Sequence, residues 1–310
     1  MKKMGILLSL AATLMLAACG QQAVTPVVTD TTKQEAPATS GSGDSAKTPN
    51  IASMSIHLTN NLLALGITPT GSVIGGDVKD FLPHVKDRLT DTKKLGVVAD
   101  PDMEALLALK PDVIYLDEKY AGAELAKYEK IAPVQVFNLD EGTWRDHLKK
   151  TGELVNRQQQ AEDFMKDYDA QAERVKAMIQ KKIGKDATVM AIRVTAKEVR
   201  VMGMKRPMGP LLYNDLGLKP ANGVEKINKA YEAISQEVLP DFDADAIFLI
   251  VNKDGDAQKI GKQLQENPIW QGLKAVKNNH VYVLNGQPWL DYSSLGHKIA
   301  LDDAEKLFAE

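Results

Sequence analysis

One cysteine in 310 residues, at position 19, leaves the rest of the chain without a thiol. That excludes disulfides and cysteine nucleophiles from everything that follows it. Positive charge is not in excess: the formal net charge is -3 and no basic stripe runs along the sequence, which argues against nucleic acid as a partner. Beyond the first twenty residues no apolar run is long enough to cross a bilayer. Catalytic signatures are missing as well. There is no G-x-S-x-G, no H-E-x-x-H, no P-loop and no dinucleotide fingerprint after a strand, so no enzyme activity is expected. The five histidines, at 57, 84, 147, 280 and 297, are scattered without ligand spacing, which argues against a direct zinc or manganese site.

The first residues read MKKMGILLSLAATLMLAACG. Lys2 and Lys3 precede an apolar run from Ile6 to Leu16, followed by small residues, the pattern of a secretory leader. Leu16-Ala17-Ala18-Cys19 matches the lipobox of bacterial lipoproteins. The expectation is a signal peptide over 1–18 and a lipid on Cys19, holding the protein at the extracytoplasmic face of the cell membrane. Residues 20–49 are rich in Thr, Ser, Ala, Pro and Gly and have no aromatic residue or apolar period. Such a segment buries too little apolar surface to offset its chain entropy. With Cys19 it reads as a tether over 19–49, spanning roughly 30 Å as a coil.

The body contains an internal echo. Glu104-Ala105-Leu106 is followed, five residues on, by Asp112-Val113-Ile114-Tyr115-Leu116. Glu237-Val238-Leu239 is followed at the same spacing by Asp245-Ala246-Ile247-Phe248-Leu249. Each reads as a short helix bearing a Glu, a tight turn and a buried strand. Before each lies a second echo, LGITP at 65–69 and LGLKP at 216–220, the signature of a helix closed by Gly with Pro beyond. The body is therefore expected to hold two related α/β lobes, over 50–142 and 186–310. Between them, 143–185 is strongly helical. Thr143 can cap one helix, and Ala161, Phe164, Met165, Tyr168, Ala172, Val175, Ile179 and Ile183 form one apolar stripe on a helix over 158–183, roughly 39 Å long. KEVRVMG at 197–203 looks like a hairpin partner of the strand at 187–194, and a last helix is expected over 294–308.

Taken in order, LTNNLLALGITPTG (58–71), LGVVADPDMEALLALKPDVIYLD (95–117), YEKIAPVQVF (128–137), GPLLYNDLGLKP (209–220), ISQEVLPDFDADAIFLI (234–250), PIWQGLKAVKNNHVYVL (268–284) and WLDYSSLGHKIALDDAEKLF (289–308) resemble the substrate-binding lipoproteins of iron–siderophore ABC importers. The resemblance covers about 51–308. It implies an α/β protein of two Rossmann-like lobes joined by one long helix, with the ligand cleft between the lobes. It departs from the family where Val98 stands at a position often basic, and where the strand hairpin usual before the first lobe is missing.

The resemblance also implies the chemistry. A ferric siderophore has its iron already saturated by oxygen, so no protein metal ligand and no cofactor is expected. The cleft needs aromatic faces for the organic shell and Arg or Lys donors for the chelating oxygens. The strand ends offer Lys119 and Tyr120, Arg193, Arg206 in the loop GMKRPMGP, and Trp289 with Tyr292 as candidate ligand contacts. This mixed set favours a hydroxamate or citrate-hydroxamate siderophore. Trp270 and Trp144 are expected in the core. Glu104 and Glu237, at matching points of the echo, are implied to dock the lobes on the membrane permease. The protein is expected to be a monomer whose partners are the ferric siderophore, the permease and, through Cys19, the membrane. The main alternative is haem or cobalamin on the same fold, with Met202, Met204 or Met208 as haem ligands. A structural or adhesive surface lipoprotein is the alternative of a different class.

Overall fold

The computed structural model describes residues 49–309 apart from Asp77, Gly122 and Ala123; Cys19 and the expected leader lie outside the described residues. The first lobe is a sheet of six strands: β1 (Ile51–Ser53), β2 (Gly71–Ile74), β3 (Lys93–Val97), β4 (Asp100–Pro101), β5 (Val113–Asp117) and β6 (Val134–Phe137). They lie in the order β4-β3-β2-β1-β5-β6, all parallel except β4. Helices α1 (Ile56–Ala64), α2 (Met103–Leu109), α3 (Glu118–Ala121) and α4 (Leu125–Glu129) connect them. Two helices then lead away, α5 (Trp144–Leu154) and α6 (Gln158–Ile183). The second lobe holds β7 (Thr188–Val194), β8 (Val199–Met202), β9 (Lys219–Pro220), β10 (Tyr231–Ile234), β11 (Ala246–Val251) and β12 (Val281–Val283). Their order is β10-β8-β7-β11-β12, with β9 beside the first residues of β7. Helices α7 (Gly255–Glu266), α8 (Pro268–Gly272), α9 (Lys274–Lys277), α10 (Gly286–Trp289) and α11 (Ser294–Phe308) complete it.

The echo is a structural repeat. Gly66 and Gly217 close their helical segments at φ of +75° and +56°, a region that side chains with a Cβ disfavour. After α2, Lys110 turns the chain in the left-handed region; after the short 3-10 helix at Gln236–Phe242, Asp243 does the same at the matching position. Two residues further on, each Asp pins its strand to the centre of the sheet. Asp112 N–H donates to the Asn50 carbonyl at 2.8 Å, and Asn50 N–H donates to the Asp112 carboxylate at 2.7 Å. Asp245 repeats this with Thr188, at 2.9 and 2.8 Å. The aspartates keep the same spacing in the two lobes because each satisfies the first backbone groups of a central strand.

The long helix runs over the residues that its stripe marks, and Gly184 ends it. Thr143 and Asp146 form a reciprocal capping box at the start of α5. The stripe of α6 enters the core of the second lobe, beside Trp144 and Leu148 of α5. Trp144 and Trp270 are core side chains, as the sequence suggests. The last helix joins the lobes a second time. Leu295, at its start, packs with Leu63, Phe81, Val85 and Leu89 of the first lobe. Ala300, Leu301, Ala304 and Phe308, further along, belong to the core of the second. Two helical crossings, one by α5 and α6 and one by α11, favour small lobe movements over wide opening.

His297 of α11 is buried against the Trp144 ring. Its Nδ1 donates to the Ser293 carbonyl at 2.9 Å, and Nε2 has no partner among the described residues. Burial pushes its pKa down, as it does for His147 on α5. The sign follows: the unfolded chain takes up protons near pH 6.5 that these folded-state imidazoles refuse, so stability falls as pH drops below about 6.5. His297→Gln is expected to flatten the unfolding free energy from urea titrations against pH between 7 and 5.5, by up to about 1.4 kcal/mol per pH unit. An unchanged slope would remove His297 from the acid response.

Candidate functional site

Residues just beyond the carboxyl ends of strands meet across the lobes: His57, after β1, meets Asp291 and Tyr292, and Leu139 and Asp140, after β6, meet Arg206; that edge is where open α/β sheets hold ligands. On the side of β7 lies a cavity of about 690 Å³, within the usual size of small-molecule sites. Val78 and Pro83 line it from the first lobe. The second lobe supplies Arg193, Lys197, Arg200 and Lys253, with Ile250, Val251, Leu284 and Leu290 as aliphatic wall. Asp254 also lines it, but its carboxylate caps α7, accepting from Ala257 N–H at 2.8 Å.

The hairpin fixes the cations. β7 and β8 pair antiparallel with Arg193 directly opposite Arg200. Like charges at such a position repel, and the Glu198 carboxylate beside Arg200 offsets part of that repulsion. Each guanidinium is oriented by a neighbour. Arg193 Nε donates to Asn252 Oδ1 at 3.0 Å; Arg200 Nε donates to Glu198 Oε1 at 2.7 Å and its guanidinium lies 4.0 Å over the Tyr231 ring. These contacts hold two planar forks in place for oxygen pairs.

The opposite side of the interface is filled by side chains. Tyr292 stacks on His57 of α1 with ring centres 3.4 Å apart, and Arg206 covers its other side at 4.1 Å. Burial pushes the Tyr292 hydroxyl pKa well up; Arg206 opposes this, while Asp117 and Tyr120 add to it. Beneath the stack Asp291 is buried. It accepts from Asn60 Nδ2 at 2.6 Å and Ser293 N–H at 3.0 Å, and pairs with His84 Nε2 at 3.0 Å and His57 Nδ1 at 3.3 Å. Burial alone would raise the Asp291 pKa, but His57 and His84 outweigh it and hold the carboxyl far below the ordinary range. His84 Nδ1 has no partner among the described residues, so the network assigns its proton to Nε2. The fold thus gathers two histidines that look scattered in the sequence. Among the described residues no group of three or more His, Cys, Asp or Glu is arranged to hold a metal ion.

The expected contacts separate into groups. Arg193 lines the cavity; Arg206 and Tyr292 form the filled side. Lys119 and Tyr120 sit on α3, exposed, at the edge of the first sheet and outside the cavity lining. Trp289, expected as a ligand wall, is instead a core side chain. It is 1% exposed, its ring packs 6.0 Å from Phe248, and its indole N–H donates to Asp303 Oδ2 at 2.8 Å. The indole points inward because the α11 carboxylate supplies its hydrogen bond there. For Arg200, Lys205 and Lys253 the sequence leaves ligand contact open; Arg200 and Lys253 line the cavity, Lys205 does not, and the hairpin register is the signal that places Arg200. The methionines at 202 and 208 are buried in the same core, filling space. Glu104 and Glu237 are both exposed, each the second residue of its helical segment, after Asp102 and Ser235. The Ser235 hydroxyl holds Glu237 below the usual carboxylate range.

Comparison with known proteins agrees with this architecture. The family model described as "Periplasmic binding protein" matches residues 51–288. An iron-uptake system-binding protein of Bacillus subtilis is 30% identical over 227 residues, 72% of this chain and 70% of its own. A probable siderophore-binding lipoprotein of the same organism, YfiY, is 28% identical over 260 residues, 81% of this chain and 79% of its own. The crystal structure of Staphylococcus aureus SirA complexed with staphyloferrin B superposes with a TM-score of 0.73 at 25% identity, covering 85% of this chain and 94% of that one.

Proposed function

The chain belongs to the periplasmic binding protein family, and from that premise we propose that it is the substrate-binding lipoprotein of an ABC importer, capturing a ferric siderophore between its lobes and presenting it to a membrane permease. The observation that carries this reading is the opposed pair Arg193 and Arg200 in a cavity of about 690 Å³. A ferric chelate brings iron that is already saturated, so the protein acts by binding and catalyses nothing. Its oxygens accept from the two guanidinium forks, and the aliphatic wall packs on its carbon skeleton.

The lining supports one ligand class over another. Aromatic faces are withdrawn from the cavity: Trp289 is in the core, and Tyr292 is covered on both sides. Four cations remain along the lining. Of the two classes expected, a citrate-hydroxamate chelate, which carries carboxylate oxygens, suits this lining better than a plain hydroxamate. A lipid on Cys19 is supported by the Leu-Ala-Ala-Cys motif and by the naming of YfiY as a lipoprotein. Docking through Glu104 and Glu237 is supported by their exposure at repeat-related positions, since paired charges set register and encounter rate at an interface. No described helix is long and apolar enough to cross a membrane.

The test is a fluorescence titration of the chain from residue 20 onward with ferric schizokinen, ferrioxamine B, ferric citrate, ferric enterobactin, haem and cobalamin. Trp144, Trp270 and Trp289 are all buried, so quenching is expected by energy transfer to the bound chelate. Saturable quenching by ferric schizokinen below about 1 µM is the expected result. Saturation by haem or cobalamin alone would overturn the siderophore reading.

A further inference from the structure

Arg206 reaches out of the second lobe, from residues 203–209, and grips the first. Its Nη1 donates to the Leu139 carbonyl at 2.6 Å, and its Nη2 bonds the Asp140 carboxylate. Leu139 and Asp140 follow β6, beyond the carboxyl edge of the first sheet. The flat face of the guanidinium lies on Tyr292, whose other face rests on His57. Arg206 is thus presented as Arg200 is, a fork laid over a tyrosine ring with one of the protein's own carboxylates on its donors. Asp140 is 61% exposed, and a pair so open to water is weak and exchangeable.

We propose that Asp140 is a specificity-determining residue, its carboxylate occupying on Arg206 the place that an anionic oxygen of the incoming chelate takes. The inference rests on the ferric-siderophore reading. A chelate with a carboxylate replaces Asp140 on the fork, leaving Asp140 to water, where it is already largely exposed. The exchange keeps Arg206 paired throughout and loosens the grip between the lobes as the ligand enters. A chelate lacking such an oxygen cannot make the exchange. It must bind beside the intact pair, or break it and leave a half-buried guanidinium unmatched, which is costly. Discrimination between anionic and neutral or cationic chelates is therefore built into the pair. It adds to whatever the cavity arginines contribute.

The experiment compares wild type, Asp140→Asn, Arg206→Ala and the double variant, titrated with ferric schizokinen and with ferrioxamine B, whose three hydroxamates leave no carboxylate. Asp140→Asn is expected to tighten ferric schizokinen about fivefold, about 1 kcal/mol, by removing the competitor. Ferrioxamine B should show no such gain. In the Arg206→Ala background the Asp140 substitution should have no effect, since the residue it competes for is gone. If wild type binds ferric schizokinen and Asp140→Asn binds it equally or more weakly, Asp140 is not a stand-in and the proposal fails while the receptor reading remains. The proposal fails equally if the gain persists without Arg206. Failure of wild type to bind any of the ferric siderophores overturns the receptor reading, and the proposal with it.

Discussion

Asp291→Ala is expected to lower the unfolding free energy by about 3–5 kcal/mol, read as a shift of the urea midpoint at pH 7. The size comes from what the carboxylate holds. Asn60 and His57 of α1, His84 of the segment after β2 and Ser293 at the start of α11 all converge on this buried group. Without the acceptor, buried donors lose their partner, and each such loss costs about 1–3 kcal/mol. The place matters as much as the number. Asp291 fastens the first turn of α11 to the first lobe, where Ser294 N–H and Oγ also bond Asn61 Oδ1 at 3.1 and 2.8 Å. The far end of α11 lies in the core of the second lobe. Removing the anchor should therefore loosen the lobes from each other before it melts either sheet. Amide exchange should accelerate first in α1 and residues 291–296. A loss below about 1 kcal/mol would mean that the buried charge is carried at no benefit, as some buried ion pairs are.

The same carboxyl predicts an acid limb. Its folded pKa is held below the unfolded value near 3.9, so its contribution is fully present above about pH 4 and is lost as pH falls toward the folded value. Asp291→Asn should accordingly be less stable than wild type at pH 7, with the gap narrowing only below about pH 4. A gap that stayed constant as pH fell well below 4 would remove this carboxyl as the source of the acid limb.

The parts of this protein written locally in the sequence are the parts that can be read from it. The ends of α6 and α11 follow from a 3.6-residue apolar period and a glycine or a serine at the boundary. The two lobes follow from a spacing that each lobe needs for its own aspartate clasp. Arg200 is one step away: with the hairpin identified, counting residues back from its turn places it across from Arg193. What cannot be read is what depends on pairs far apart in the chain. His57 lies 234 residues from Asp291, and His84 lies 207 from it. Arg206 and Asp140 are 66 apart, on two loops with no period. No spacing rule links such residues, because the distance between them is set by how the lobes meet. Trp289 shows the same limit in one side chain. An aromatic just beyond a strand can turn toward the cleft or the core, and here Asp303, fourteen residues on, makes the choice.

Arg193→Ala and Arg200→Ala are each expected to weaken ferric siderophore binding at least tenfold, about 1.4 kcal/mol. The double variant should lose about 100-fold or more, though less than the product if one group of ligand oxygens bridges both forks. Stability should respond differently from affinity. Each arginine has partners that its removal abandons, Asn252 among those of Arg193, and Glu198 with the Tyr231 ring for Arg200. Each removal also relieves the repulsion between two cations held opposite each other. The two effects oppose, so unfolding free energy should change by less than about 1 kcal/mol in either single variant. That combination, large loss of ligand with little loss of fold, separates a binding pair from a structural one. Arg193→Lys sharpens the distinction. It keeps the charge but not the planar fork, so affinity should fall between wild type and Arg193→Ala if oxygen pairs are gripped, and should stay at the wild-type level if charge alone matters. Raising the salt from about 0.05 to about 0.5 M weakens a charge-only attraction strongly and a hydrogen-bonded fork in a half-buried cleft much less. Retention of wild-type affinity by the double variant would move the ligand away from the β7–β8 hairpin, to the side of the interface that Arg206 and Tyr292 now close.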